Sequence, residues 1–213
     1  MLTASTILLA ATTASCLALL ARNAKLRADL DAARHDADHD ALTGLPNRRA
    51  LLRKLNTLLA DRTRPVCIAL LDLNRFKDIN DEHGHTAGDL VLCQVAETLT
   101  TLDLPRATVG RMGGDEFLII TDGGINPGRT NAHAAAHALD AATVTLGETH
   151  FGCYASVGLA VADHHDLTAV DLIRRADAAM YYAKRRGGGV MEWHQHIGTS
   201  MTATRPMQRR RFR

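Results

Sequence analysis

The run Arg111–Phe117, RMGGDEF, constrains this chain more than any other. Two adjacent glycines, Gly113 and Gly114, stand between an apolar stretch ending at Val109 and another beginning at Phe117. Glycine reaches positive φ without a Cβ penalty, so the spacing predicts a tight β-hairpin over Thr108–Thr121. Two carboxylates, Asp115 and Glu116, follow the turn at once. A hairpin needs one polar turn residue. Two adjacent acids suit a shared ligand as well, and the plain alternative is a solvated turn carrying a charge pair.

Upstream, Cys67–Leu73 (CIALLDL) is a continuous apolar run with Asp72 near its end, the pattern of a buried strand that delivers a carboxylate to its tip. Lys77, Asn80, His85 and Asp89 follow within NRFKDINDEHGHTAGD. A strand-end carboxylate, a hairpin-tip carboxylate and a nearby lysine are what a magnesium-dependent phosphoryl-transfer site needs: hard oxygen ligands for the ion and a cation for the phosphates.

Elsewhere the apolar periodicity alternates helix with strand. Leucines at 51, 52, 55, 58 and 59 give Asn47–Arg62 a helical face begun after Pro46. A strand over Val66–Leu73, a short helix near Arg75–Asp81 and a helix over Thr86–Leu102 precede the hairpin. After it come a loop through Gly123, Gly124 and Pro127, a helix over Arg129–Val144, a strand over Phe151–Ala162, a helix over Thr168–Arg186 and a short strand over Val190–Trp193. A central hairpin in this mixed order predicts an α+β fold rather than a doubly wound sheet.

Five segments in order resemble those of the GGDEF-domain diguanylate cyclases: DALTGLPNRR at Asp40–Arg49, LLDLNRFKDIND at Leu70–Asp81, GHTAGD at Gly84–Asp89, RMGGDEF, and ADAAMYYAKRRG at Ala176–Gly187. ASVGLA at Ala155–Ala160 sits where the family has another core strand. The resemblance runs from about Asp40 to Trp193. It implies a palm-like, largely antiparallel central sheet of the nucleotidyl cyclase or ferredoxin-like kind, with surrounding helices and, here, a preceding N-terminal helix. It also implies condensation of two GTP into cyclic di-GMP with release of pyrophosphate, at a two-fold interface between two domains that makes a homodimer the working unit. A non-catalytic GTP-binding receptor domain is the alternative, and such a domain would normally carry a damaged signature, whereas this one is intact.

By the same resemblance Asp72, Asp115 and the backbone carbonyl of Leu73 hold Mg2+, with Mn2+ as an alternative ion, and Asp115 activates the attacking 3′-hydroxyl. Gly113, Gly114, Glu116 and Phe117 complete the signature. Lys77 and Lys184 correspond to phosphate-contacting lysines, His85 belongs to the substrate-binding motif, and Asn80 and Asp89 read guanine. A carboxylate accepts from the guanine N1–H and N2 amino group together, whereas adenine has no donor at N1, so Asp89 favours GTP over ATP. Three departures stand out. Gly188 replaces a frequent phosphate-binding arginine, for which Arg185 or Arg186 would be the substitutes, Asn74 replaces a frequent aspartate, and Leu104 and Ala107 replace the arginine and aspartate of the family's RxxD product-inhibition site. No product-inhibition site is therefore expected.

The formal net charge of +2 hides an asymmetry. Arg205, Arg209, Arg210, Arg211 and Arg213 lie beyond the last acid, and without them 20 basic residues face 23 acidic ones. The body of the chain therefore offers no basic field for nucleic acid, and no such partner is expected. Cys67, Cys93 and Cys153 lie in apolar runs without metal or redox spacing and read as reduced core residues.

Leu2–Ala21 carries no charge, and about 20 helical residues cross a hydrocarbon core of about 30 Å. Six of these twenty are serine or threonine and six are alanine, which makes the span marginal. Arg22, Lys25 and Arg27 follow, placing the carboxyl-terminal side in the cytoplasm by the positive-inside rule. The expected organisation is a transmembrane anchor over 1–21, a helical linker over 22–40, a catalytic domain over 41–194 and a basic disordered tail over 195–213. That arrangement predicts a single-pass protein of the inner membrane, with the membrane as a partner. Leu26 and Leu30 lie four apart in the linker, but apolar seam positions are too few for an autonomous coiled coil.

Overall fold

The structure, a computed structural model, describes residues 4–162 and 167–194. The expected tail over 195–213 lies outside the described residues. Contacts divide the chain into two compact units, Met1–His39 and Asp40–Arg213.

The first unit is one helix, α1 (Ala4–Asp38). Its 35 residues exceed the length a bilayer requires, but among the described residues no helix is both long and apolar enough to cross a membrane. This overturns the anchor over 1–21, the single-pass placement in the inner membrane and the membrane partner. The reason is composition. Serine, threonine and alanine fill most of the segment, and each contributes far less to insertion than leucine or isoleucine.

The second unit contains α2 (Arg48–Ala60), β1 (Val66–Leu73), α3 (Phe76–His83), α4 (His85–Thr101), β2 (Ala107–Gly113), β3 (Glu116–Asp122), α5 (Ile125–Ala141), β4 (Thr143–Leu146), β5 (Thr149–Gly152), β6 (Ala155–Ala162), α6 (Ala169–Arg185) and β7 (Gly189–Glu192). The main sheet has the order β2-β3-β1-β6-β7. Its pairs are antiparallel except β6 with β7. The α+β expectation therefore holds, with a mostly antiparallel sheet and helices on both faces.

β1 is central and every one of its residues is buried, which is why it reads as an unbroken apolar run rather than an alternating one. Cys67, Ala69, Leu71 and Leu73 join the core shared with Val91 and Val95 of α4 and Leu139 of α5. Val66, Ile68 and Leu70 join the opposite core with Leu55 of α2 and Leu172 and Met180 of α6. Strand alternation then assigns Asp72 to the α6 face. Helix α6 approaches β6 closely: a Cβ on Gly158 would lie 2.0 Å from the carbonyl oxygen of Ala176 and 2.3 Å from the amide nitrogen of Met180.

Two local departures have physical causes. α5 begins at Ile125 and carries Pro127 in its first turn, where a missing N–H breaks no helical hydrogen bond. It ends at Ala141, and the segment expected to finish that helix and start a strand instead forms the β4–β5 hairpin. Gly147, with φ +62°, makes its turn.

Candidate active site

The apolar flanks of the RMGGDEF run pair as β2 and β3, with a register shift between Arg111 and Gly113. Gly113 and Gly114 adopt φ of +131° and +58°, conformations that explain both glycines. Phe117 is fully buried and fixes the returning strand in the core. Beside it, Asp72 lies opposite Glu116 on β3 and opposite Ser156 on β6. The Leu73 N–H donates to the Asp115 carbonyl at 3.2 Å. The hairpin tip is thus stitched to the end of β1, bringing Asp115 beside Asp72 and Leu73.

Asp72 is buried, and its Oδ1 accepts from Nζ of Lys184, in the last turn of α6. The Lys184 side chain is 43 % exposed, so the cation reaches the carboxylate from the solvent side. Among the described residues no three His, Cys, Asp or Glu side chains converge on a metal position. Carboxylates and backbone carbonyls are hard oxygen donors, the kind that divalent cations such as Mg2+ and Mn2+ take.

Arg111 organises this tip, a role the sequence reading did not assign. Its Nε and Nη2 donate to the Gly114 carbonyl at 3.0 and 2.8 Å, and its Nη1 donates to Asp40 Oδ1 at 2.8 Å. Asp40 Oδ1 also accepts from the Thr43 amide and hydroxyl at 3.0 and 2.8 Å. Burial raises the Asp40 carboxyl pKa, but the donors from Arg111 and Thr43 together outweigh it and hold the group below 3.8. The Arg111 N–H donates to the Pro46 carbonyl at 2.9 Å, and a Cβ on neighbouring Gly110 would come within 2.4 Å of that same oxygen. The Asp40–Asn47 loop therefore packs directly on β2.

The residues expected to read guanine lie on the neighbouring helices α3 and α4. A Cβ on Gly88 would fall 2.1 Å from Asn80 Oδ1, so Asn80 of α3 lies against α4 at the residue preceding Asp89. Asp89 and His85 are exposed on α4. Lys77 is exposed on α3, with its Nζ 4.0 Å from Asp81 Oδ2, and it does not join the Asp72–Lys184 pair. Asn74 accepts from Ser156 Oγ at 2.7 Å, and its N–H donates to the Tyr154 carbonyl at 2.8 Å, so it secures the end of β1. Gly187, Gly188 and Gly189 all have positive φ, of +97°, +109° and +87°. An arginine at position 188 would be strained in this turn, and its Cβ would lie 3.3 Å from Asn74 Nδ2. Of the two nearby arginines, Arg186 lies over the Tyr182 ring at 5.1 Å.

The family described as "Diguanylate cyclase, GGDEF domain" matches residues 37–189. The chain is 39 % identical over 155 residues to the diguanylate cyclase DgcP of Escherichia coli K12, covering 68 % of this chain and 44 % of that protein. It is 34 % identical over 167 residues to the diguanylate cyclase TpbB of Pseudomonas aeruginosa UCBPP-PA14, covering 73 % and 37 % respectively. Among solved structures it is similar to the coiled coil and GGDEF domain of DgcB from Caulobacter crescentus in complex with c-di-GMP. That similarity has a TM-score of 0.77 at 28 % identity and covers 85 % of this chain and 98 % of the other. The chain spans less than half the length of these two curated relatives.

Proposed function

We propose that this chain, which belongs to the GGDEF-domain diguanylate cyclase family, condenses two GTP into cyclic di-GMP with release of pyrophosphate, each of two facing domains holding one GTP. The observation that carries this is the bond from the Leu73 amide to the Asp115 carbonyl, which joins the hairpin tip to the strand end that bears Asp72. The catalytic unit is taken as 41–194, preceded by a helical linker over 22–40.

Asp72, Asp115 and the Leu73 carbonyl would hold Mg2+, which when bound neutralises triphosphate charge and lowers the pKa of the 3′-hydroxyl. Asp115, at the tip, accepts the hydroxyl proton as general base. Lys184 sits on Asp72 from the solvent side, and its flexible stem lets the same ammonium turn to an incoming phosphate. The first amides of α3 add a positive helix end beside the β1 terminus. Lys77 and His85 are assigned to the outer phosphate and substrate surface, and Asn80 with Asp89 to guanine. Holding the 3′-hydroxyl of one GTP against the α-phosphate of the other requires the second domain, so catalysis needs a dimer.

Incubating the full chain with GTP and Mg2+ separates the alternatives. Cyclic di-GMP supports the cyclase, GTP binding without turnover supports the receptor domain, and the absence of both product and binding refutes both readings.

A further inference from the structure

Resting on the GTP-binding reading above, we propose that Asn74 is a substrate-positioning residue, its Nδ2 donating to an outer phosphate oxygen of GTP. The two ends of its carboxamide are unequally occupied. Oδ1 accepts from Ser156 Oγ at 2.7 Å, and Ser156 is fully buried. That bond fixes which way the carboxamide points. Nδ2 has no hydrogen-bond partner among the described residues. No buried side-chain nitrogen or oxygen among those residues lacks a partner, so Nδ2 is open to solvent. A donor held in place by its other end and left unused is pre-organised for a ligand that brings an acceptor.

The sheet decides which phosphate. In the order β2-β3-β1-β6-β7, Asp115 lies on the β3 side of the β1 end, whereas Asn74 is tied to Tyr154 and Ser156 on the β6 side. Asp72 stands opposite Ser156, and Ser156 stands opposite Gly189 of β7. With the α-phosphorus at the Asp72 and Asp115 end, the outer phosphates run past Lys184 toward Asn74. Gly188 keeps that path clear: a Cβ there would lie 3.3 Å from Nδ2 and 4.0 Å from Ser156 Oγ. The Gly187 and Gly188 amides donate to the Lys184 and Ala183 carbonyls at 3.3 and 3.0 Å, so the open space adjoins the turn that carries the ammonium. Positions 74 and 188, separate in the sequence, are therefore neighbours, and their chemistry is joined. An aspartate at 74 would set a second carboxylate against the single ammonium of Lys184 and repel the phosphates. Asparagine keeps the acceptor that Ser156 needs, carries no charge and supplies a donor on the side where position 188 supplies none.

The test is equilibrium binding of GTP and of GMP, beside turnover, to the full chain and to its Asn74→Asp and Asn74→Ala variants. Asn74→Asp keeps an acceptor for Ser156 Oγ, removes the donor and adds a charge, whereas Asn74→Ala loses both contacts and adds no charge. GTP should bind about 10- to 100-fold more weakly to Asn74→Asp, the equivalent of one hydrogen bond to a charged group. Asn74→Ala should show a smaller loss, and GMP, which lacks the outer phosphates, should bind to all three alike. KM for GTP should rise in the same order, with kcat at saturating GTP near the parent's, as loss of uniform binding requires. A residue that only braces Ser156 gives the reverse order, with Asn74→Asp like the parent and Asn74→Ala impaired toward both nucleotides, and that order overturns the proposal. Equal weakening of GTP and GMP in Asn74→Asp overturns it too. Tighter GTP binding by Asn74→Asp at a lower Mg2+ requirement overturns it in favour of a metal-ligand position. Should Asn74→Asp not fold, the GTP-to-GMP ratio of Asn74→Ala decides: a loss confined to GTP supports the donor, and a loss shared by both overturns it. GTP binding that follows the expected order, in a chain that makes no cyclic di-GMP, leaves the donor standing and refutes the cyclase reaction.

Discussion

Arg111 divides one guanidinium between the Gly114 carbonyl and the Asp40 carboxylate, 71 residues away in sequence. Both residues lie inside runs that are legible in the sequence, yet the link between them is a tertiary fact that no local spacing encodes. Because Asp40 is held below its ordinary 3.8 in the folded chain, its contribution is fully present above that value and is lost as pH falls through the lower folded value. Asp40→Asn should therefore cost about 1–3 kcal/mol at neutral pH. The gap from the parent should narrow below pH 3.8, measured as urea midpoints between neutral pH and pH 3; a gap that stays constant would show that the charge is not what Arg111 holds. At the proposed guanine site, Asp89→Ser removes the acceptor that adenine leaves unpaired. ATP should then compete about 5- to 100-fold better than with the parent, the equivalent of one unpaired buried polar group. Rejection of ATP as strong as the parent's would remove Asp89 from base reading.

At the scale of elements, the reach of Lys184 to Asp72 depends on how closely α6 lies on β6. Gly158 permits that approach, since its Cβ would collide with the α6 backbone. Gly158→Ala should destabilise the unit by about 1–3 kcal/mol through overpacking and lower activity by displacing Lys184, read from thermal unfolding and turnover together. A stable variant with full activity would mean that α6 placement is not limiting. The loop ahead of β2 carries a second prediction. Arg106, with φ +57°, accepts from the Asp122 N–H at its carbonyl and directs its guanidinium to the Asp122 carboxylate at 3.1 Å. With Leu104 and Ala107 in the two clasping positions, cyclic di-GMP should not inhibit through this loop. Strong non-competitive inhibition that is lost in Arg106→Ala would contradict this. Strand β1 was legible to the residue, because burial on both faces leaves a continuous apolar run. The β4–β5 hairpin was not: its strands are four residues each, so the alternation Thr143–Leu146 is too short to stand apart from the alanine-rich helix before it.

For the whole molecule, the same contrast holds between its two units. In the second unit the apolar runs and turn glycines follow the order of the elements, so the α+β fold was largely readable from the sequence. The first unit misled because lack of charge in Leu2–Ala21 was weighed above its alanine, serine and threonine content, which leaves it short of a membrane span. The most direct measurement is cyclic di-GMP formation from GTP and Mg2+ by the full chain over a range of protein concentrations, with Asp115→Ala as control. The expected result is product whose rate per chain rises with concentration, and a loss of at least about a hundredfold in Asp115→Ala with unfolding unchanged, as the proposed role of Asp115 as general base and metal ligand requires. GTP bound without product at any concentration, or product made equally well by Asp115→Ala, would contradict it.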